Sequence, residues 1–406
     1  MKVLCLVNGH AVAHVSRTLE IAKELKKRGH NIIFGGGGEY LKIIKNEKFT
    51  LYELAFTTQE ENKIGMVEGK YELFYKGIEK WIYEDINLIK KINPDILIVD
   101  NRLSSFSAAE ILKIPIINIA NIHITDYKKI PFNNVGNLIN NNNFVLKLIN
   151  NFELMCESFL FNKIVTKELN KTRLKMGLKE KSGFSNEMGD IILFPDIPEF
   201  NPSKKLPSNC YYIGPLIWHN KLKKPSFMPK LDKNKKIIYL TMGSEGLESI
   251  LDVIKDLDQN KFQLIITTSS DKLIETKLPK WIFIEKYINT DYILPYCDLV
   301  ITHGGNGTIY QALASGVPIL GLANHNEQFY NINRAIDCKV GLGIKLKSIK
   351  NNNFEVVVKM IDEILFENDI YKKNALIFKD IISKYDGKKK AADIIEEYYN
   401  KINISN

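Results

Sequence analysis

Residues 302–320, THGGNGTIYQALASGVPIL, set His303, Gly304 and Gly305 directly after an apolar run and directly before a helical pattern, with a second apolar run close behind. A strand that ends at Thr302 and turns through two glycines into a helix leaves the first helical N–H groups without intrahelical acceptors, where the helix dipole also favours negative charge. Such a turn is an anion site. Glycine lets the backbone approach a phosphate closely, and His303 and Thr308 can donate hydrogen bonds to its oxygens. An ordinary capped turn is the alternative, but His-Gly-Gly joined to Thr308 and a downstream Gly-Val-Pro strand is far more restrictive than a lone glycine pair.

The same strand-then-helix grammar extends in both directions. KKIIYLTMGSEG (235–246), QLIITT, WIFIEKY, DLVITHGG and VPILGL form one series, and VLCLVNG, NIIFGGGG, PDILIVD (94–100) and PIINIAN (115–121) form another. Helical patterns over about 16–27, up to residue 46 and over 70–92 separate the earlier runs. Short apolar runs alternating with helices predict an α/β chain with parallel sheets covered on both faces, here as two doubly wound units. At 406 residues the chain suits two domains of about 200 residues each. We place them at 1–210 and 211–385, with a final helix over 386–406 that is expected to pack back on the first domain. The Pro- and Lys-rich stretches 201–209 and 219–236 flank YYIGPL as the expected interdomain connection, read as solvated loops because no aromatic residues are interleaved for base stacking. Nucleic acid is therefore not an expected partner.

Composition limits the class further. Hydrophobic residues make up 45% and charged residues 25%, as in a globular chain with a sizeable core. No apolar window reaches a membrane span, and Met1-Lys2 runs straight into a strand, so the expected location is the cytoplasm. The five scattered cysteines contain no C-x-x-C pair and read as reduced packing residues. A net charge of +9 favours acidic partners, among them phosphorylated small molecules and anionic lipid. Phe144, Leu148, Phe152, Met155 and Phe159 step along at helical spacing. The expectation is packing on the first domain; a greasy acceptor pocket or a helix facing an anionic membrane is the alternative.

The run YINTDYILPYCDLVITHGGNGTIYQALASGVPILGLANHNEQ, beginning at Tyr287, resembles the donor-binding signature of nucleotide-sugar glycosyltransferases of the GT-B fold, especially family 1 with its plant and macrolide enzymes. The likeness is strong over the second half and looser over the first. It implies two Rossmann-like domains facing each other across a cleft, and an inverting, metal-independent hexosyltransferase without a cofactor. The partners implied are a UDP-linked sugar donor and a hydroxyl-bearing acceptor. By the same likeness His303 contacts the donor diphosphate, with Gly304, Gly305, Asn306, Gly307 and Thr308 around it and Ser244 adding a phosphate contact. Tyr287 stands where the family stacks a tryptophan on the base, and Glu327 and Gln328 match the acidic-Gln pair that reads sugar hydroxyls. Gln311 departs from the family's glutamate: an amide offers the ribose diol one uncharged acceptor oxygen, which leaves uridine and deoxythymidine donors both open.

NGHAVAHVSRTLEIAKELKKRGH puts His10 and His14 in the loop after the first strand, where the family's histidine takes the proton from the acceptor hydroxyl. An imidazole suits that task at neutral pH. Spacing to the downstream Arg28-Gly29-His30 selects His14, although Ala13 and Arg17 stand where the family has glycine and proline. Asp100, ending PDILIVD, resembles the carboxylate partner that orients such a base. Arg17 is a candidate for a phosphate or an anionic acceptor at the helix start, and His123 for the acceptor cleft. GGGG at 35–38 lacks the G-x-G-x-x-G order of a dinucleotide loop and reads as a flexible turn. Asp256-Leu257-Asp258 matches a D-x-D metal motif but ends an apparent helix, so no metal site is expected. Two other functions remain: a nucleotide-sugar epimerase of the same architecture, and a non-catalytic nucleotide-sugar-binding subunit.

Overall fold

A computed structural model describes residues 1–68, 70–131, 144–160, 166–242, 257–268, 278–348 and 355–404. The chain divides into one compact unit of Met1–Pro131, Asn143–Trp218 and Tyr385–Asn406 and a second containing His219–Lys384. The first unit holds a seven-stranded parallel sheet of β1 (Lys2–Asn8), β2 (Asn31–Gly37), β3 (Thr50–Glu53), β4 (Ile96–Asp100), β5 (Ile116–Ile119), β6 (Ile191–Phe194) and β7 (Cys210–Tyr212), in the order β3-β2-β1-β4-β5-β6-β7. The second holds six parallel strands, β8 (Lys236–Thr241), β9 (Phe262–Thr267), β10 (Ile282–Glu285), β11 (Leu299–Thr302), β12 (Ile319–Ala323) and β13 (Gly341–Lys345), in the order β10-β9-β8-β11-β12-β13.

Successive side chains of a strand point to opposite faces, so a strand covered on both sides must be apolar throughout. β1 meets this demand. Val3, Cys5 and Val7 pack with Val15, Leu19 and Ala22 of helix α1 (Val12–Lys27). Leu4 and Leu6 pack on the opposite face with Trp81, Ile82 and Ile89 of α2 (Ile78–Ile92) and with Phe106 of α3 (Ser104–Leu112).

Two local features differ from the sequence expectations. Residues 35–37 are strand, not a flexible turn: a Cβ on Gly36 would lie 2.4 Å from the Val7 carbonyl oxygen, and one on Gly38, where φ is +125°, would lie 2.2 Å from the Gly9 carbonyl carbon. The glycines let β2 and the loop after β1 approach closely. The boundary expected at residue 210 falls on β7, which completes the first sheet, and that unit runs on to Trp218, so 201–209 lies within it and not in a linker. The last helix, labelled α7 here (Gly387–Ile404), belongs to the first unit. Its Ala391, Ala392 and Ile395 enter the core beside α1, and Arg28 reaches Asp393 at 2.6 Å and Glu396 at 2.7 Å.

Candidate active site

In an open parallel sheet, ligands bind beyond the carboxyl ends of the strands where the strand order reverses. The first unit reverses between β1 and β4. His14 lies in the first turn of α1, directly after β1, and Asp100 is the last residue of β4, in register with Val7. His14 Nδ1 is 2.7 Å from Asp100 Oδ1, with the histidine side chain 19% exposed and the aspartate fully buried. A carboxylate oxygen only accepts, so in the neutral tautomer that this contact selects the proton sits on Nδ1 and the lone pair on Nε2. The turn that follows is fixed by Asn101, held at φ 55° with its Oδ1 accepting from Asn8 Nδ2 at 2.9 Å. Beyond it Arg102 forms a fully buried ion pair with Asp85 of α2, Nε to Oδ1 2.8 Å, and Ser104 and Ser105 donate to the other oxygen. The loop carrying Asp100 is thus tied to the helical layer beneath it.

Arg17 does not present itself to a phosphate or acceptor as expected. It lies one turn inside α1, side chain 7% exposed, and grips Asp100 with Nε on Oδ2 and Nη2 on Oδ1 at 2.7 Å, while Nη1 donates to Asn121 Oδ1 at 2.7 Å. Burial raises the Asp100 carboxyl, but Arg17 first and His14 second outweigh it and hold the group below its ordinary value. His10 is occupied elsewhere: Nε2 donates to the Thr57 carbonyl at 2.5 Å, the ring stacks on Phe56, and burial lowers its pKa against the opposing pull of Thr57 and Glu39. His123 is fully buried, which removes it from the acceptor contacts foreseen for it.

The second unit reverses between β8 and β11. There β11 ends at Thr302 and passes through His303, Gly304 and Gly305 into α5 (Asn306–Ala314). Gly304 has φ +98°, and a Cβ there would lie 2.7 Å from the Gln328 carbonyl oxygen and 2.9 Å from the Ile332 side chain, so the position demands glycine. Thr302 Oγ1 accepts from the Gly304 amide at 3.3 Å, and Asn331 Nδ2 donates to its carbonyl at 3.0 Å. The His303 ring lies against Gly305, with Nε2 only 2.9 Å from where a Cβ would stand. Gly305 caps α5 without a side-chain hydrogen bond, and the ladder closes on its carbonyl from Ile309 at 3.1 Å, so the amides of Asn306, Gly307 and Thr308 belong to the first turn, where a helix offers its positive end.

Around this turn, Tyr287 follows β10 with 54% of its surface exposed, and Gln311 lies partly buried in the second turn of α5. Glu327 is in the first turn of α6 (Asn326–Asp337). Gln328 is buried, and its Oε1 accepts from the Asn324 amide at 2.8 Å, so the oxygen expected to read sugar hydroxyls holds the loop after β12. Ser244 lies outside the described residues, as does Asp256.

The helix at the centre of the apolar stripe, α4 in chain order (Phe144–Leu160), reverses the expected packing. Leu154 is buried and Glu157 accepts at 2.6 Å from Lys128, a lysine whose side chain is 4% exposed and whose pKa burial lowers against the pull of Glu157. Phe152, Met155 and Phe159 are each 60–62% exposed; the side chains of Phe144 and Leu148 are outside the described set.

Residues 248–384 match the family model for the C-terminal domain of erythromycin biosynthesis protein CIII-like proteins. The chain is 26% identical over 371 residues to the PGL/p-HBAD biosynthesis glycosyltransferase of Mycobacterium tuberculosis, covering 90% of this chain and 85% of the relative. Its fold matches the glycotransferase of kitacinnamycin at a TM-score of 0.73, with 14% identity and 98% of both chains covered. It matches the spinosyn rhamnosyltransferase SpnG complexed with thymidine diphosphate at 0.68, with 15% identity and 98% and 100% covered. The chain is a glycosyltransferase of the GT-B fold, similar to the enzymes of family 1.

Several residues that build the sites of this glycosyltransferase were not singled out from sequence. Asn121 ends the run PIINIAN as Asp100 ends PDILIVD, and that shared position was the available signal. Thr18, which donates to the His14 carbonyl at 2.9 Å and approaches Asp100 Oδ2 at 3.4 Å, and Asn331 are polar positions within helices that only the tertiary fold distinguishes from ordinary ones. Among the described residues no group of three or more His, Cys, Asp or Glu could hold a metal ion, and no helix is long and apolar enough to cross a membrane.

Proposed function

We propose that this glycosyltransferase is inverting and uses His14 as its general base. His14 Nε2 takes the proton of an acceptor hydroxyl as that oxygen bonds to the anomeric carbon from the face opposite the leaving group. The bond from that carbon to the donor diphosphate breaks, and the diphosphate keeps the electron pair. Asp100 holds the ring with Nδ1–H toward it and stabilises the imidazolium as it forms. The observation that carries the reading is the 2.7 Å contact of His14 Nδ1 with a buried carboxylate at the strand reversal. The leaving diphosphate is assigned to His303, the amides of the Gly305–Thr308 turn and the Thr308 hydroxyl, whose donors supply the positive end that the step requires without calling on a metal. His14→Ala is expected to abolish transfer while nucleoside diphosphate binding persists. Wild-type turnover in His14→Ala together with loss in His10→Ala transfers the base role to His10. An unchanged rate after exhaustive chelation supports the metal-independent step; a rate restored only by added Mg²⁺ or Mn²⁺ contradicts it.

The donor we assign is a pyrimidine nucleoside diphosphate sugar. The resemblance favours uridine, but the neutral Gln311 gives up the charged hydrogen bonds that reward a ribose diol, and SpnG was solved with thymidine diphosphate. Weak discrimination between uridine and deoxythymidine donors is the expected result of a thermal-shift panel of nucleotide sugars. Donor turnover without any second substrate would favour the epimerase, and tight binding with neither transfer nor hydrolysis the idle subunit. Five free cysteines suit a reducing, cytoplasmic location.

The exposed row Phe152, Met155 and Phe159 favours an apolar acceptor or peripheral contact with an anionic membrane, which the net charge of +9 would assist. Sedimentation with vesicles containing phosphatidylserine tests the membrane contact: wild type should pellet and Phe152→Ser/Phe159→Ser should not, whereas equal recovery of both in the supernatant ends it.

A further inference from the structure

We propose that His10, Thr57 and Arg102 form a binding site for a hydroxyl of the acceptor other than the one that receives the sugar. The inference rests on reading the strand reversal of the first unit as the acceptor side.

The two strand ends that supply His14 and Asp100 also supply this second group. His10 precedes His14 by four residues and Arg102 follows Asp100 by two, so the Cα atoms of the two histidines are at most about 14 Å apart. The third contributor is the segment leaving β3. Arg102 Nη2 donates to the Ala55 carbonyl at 3.2 Å and His10 Nε2 to the Thr57 carbonyl at 2.5 Å, so the two side chains grip the segment on either side of Phe56 in the chain. Both also pack on the Phe56 ring, whose centroid is 6.0 Å from that of His10 and 5.5 Å from the Arg102 guanidinium carbon. Trp81 of α2 adds a second aromatic wall, 5.0 Å from Phe56.

Each of the three residues keeps one polar atom unused. Among the described residues, His10 Nδ1, Thr57 Oγ1 and Arg102 Nη1 are buried without a hydrogen-bond partner, and Thr57 is 4% and Arg102 0% exposed. Buried polar atoms are nearly always paired, so three of them around one ring mark a place where a ligand completes the pairing. Aromatic walls with a few converging polar atoms are also how small-molecule pockets are built.

The roles of the three atoms define what fits. A carbonyl only accepts, so His10 Nε2 carries the ring proton; burial holds the imidazole below its ordinary pKa against the pull of Thr57 and Glu39, which leaves Nδ1 a lone pair at neutral pH. Arg102 Nη1 only donates, and the Thr57 hydroxyl does either. A hydroxyl donates to Nδ1 while accepting from Nη1 or Oγ1. An ether or carbonyl oxygen leaves Nδ1 unanswered. A carboxylate fits no better, because the Arg102 charge is already matched by Asp85, Nε to Oδ1 2.8 Å. His10 and Phe56 are half-buried, so the group opens on their side, and Phe56, held by ring packing, turns aside to admit the ligand.

Phenol and anisole, which share an aromatic ring and differ in the hydroxyl proton, are the probes. They are titrated at neutral pH into the full chain with its seven histidines isotope-labelled. The ring-nitrogen signals of His10 are identified by their loss in His10→Gln, whose amide still offers a donor to the Thr57 carbonyl. Phenol should move the Nδ1 signal as a lone pair does on gaining a hydrogen bond, and anisole should leave it in place. In Thr57→Val, which keeps the shape and loses the hydroxyl, the phenol concentration at half the movement should rise about three- to tenfold. His14→Ala should respond to phenol as wild type does. No movement with phenol, as when a trapped water holds the three atoms, overturns the proposal, and so does equal movement with both probes; these two results are read in wild type and decide the matter even if Thr57→Val does not fold. An unchanged half-point in Thr57→Val, or a response lost in His14→Ala, overturns it as well. Failure of the base reading shows separately, as sugar transfer that survives in His14→Ala, and leaves the phenol result standing.

Discussion

Replacing Asp100 with asparagine removes one charge and leaves the shape of the side chain intact. In the wild-type protein three donors hold the two carboxylate oxygens, His14 Nδ1, Arg17 Nε and Arg17 Nη2, and Thr18 Oγ1 approaches at 3.4 Å. Asparagine has one acceptor oxygen and an NH₂ group that must face another donor. Arg17 then stays buried with half its fork unmatched. Removing one partner of a buried ion pair costs about 3–5 kcal/mol, which for a unit of this size lowers Tm by roughly 6–20 °C. The same swap leaves Nδ1–H without a charged acceptor, so the ring loses both its orientation and the stabilisation of its protonated form. Transfer should fall by about 10²–10⁴ in kcat/KM, measured well below the variant's Tm. Binding of uridine diphosphate, measured by calorimetry, should stay within about twofold, since no residue of the His303 turn is touched. The stability loss also has a defined pH dependence. Asp100 is held below the ordinary carboxylate value, so its contribution is fully present above the unfolded value of about 3.9 and disappears as pH falls through the lowered native one. The Tm difference between the two proteins should therefore be complete at pH 7 and shrink below about pH 4. Turnover within threefold of wild type would refute the reasoning.

Other perturbations test the second unit. His303→Ala should weaken uridine diphosphate binding about 10- to 100-fold, the value of one charge-assisted hydrogen bond, by calorimetry; unchanged affinity would remove His303 from the diphosphate site. Gly304→Ala forces a side chain into φ +98° with a backbone oxygen 2.7 Å away, and it should lower both Tm and nucleotide affinity, the latter at least about tenfold. Gln311→Glu should lower the Michaelis constant for a uridine donor by about three- to tenfold and leave a deoxythymidine donor unaffected; equal effects on the two would mean that the residue does not meet the sugar of the nucleotide.

The sequence carried the sheet-and-helix grammar because strands buried on both faces must be apolar throughout, as β1 is, and that pattern needs no partner to be recognised. The same regularity placed His14 and Asp100 at strand ends, and strand ends at an order reversal converge. What it did not carry was direction. Arg17 was assigned to the helix start because the helix was expected from residue 16; α1 begins at Val12, and one extra turn swings the guanidinium inward onto Asp100. The row Phe152, Met155 and Phe159 was legible as one face of a helix, but periodicity does not tell which face is covered, and the ion pair of Glu157 with the buried Lys128 turns the carboxylate side inward. GGGG was misread for a related reason. Four glycines signal freedom when taken alone, whereas here Gly36, Gly37 and Gly38 answer to the backbone of Val7, Leu54 and Gly9 at distances no side chain would permit.

A crystal structure of the protein with uridine diphosphate is decisive for the donor site on which the transfer step depends. The diphosphate oxygens should lie within hydrogen-bonding distance of His303 and of the amides of Asn306, Gly307 and Thr308. Density for the diphosphate at any other place, such as the loop after β2, would contradict the assignment and with it the direction of sugar transfer.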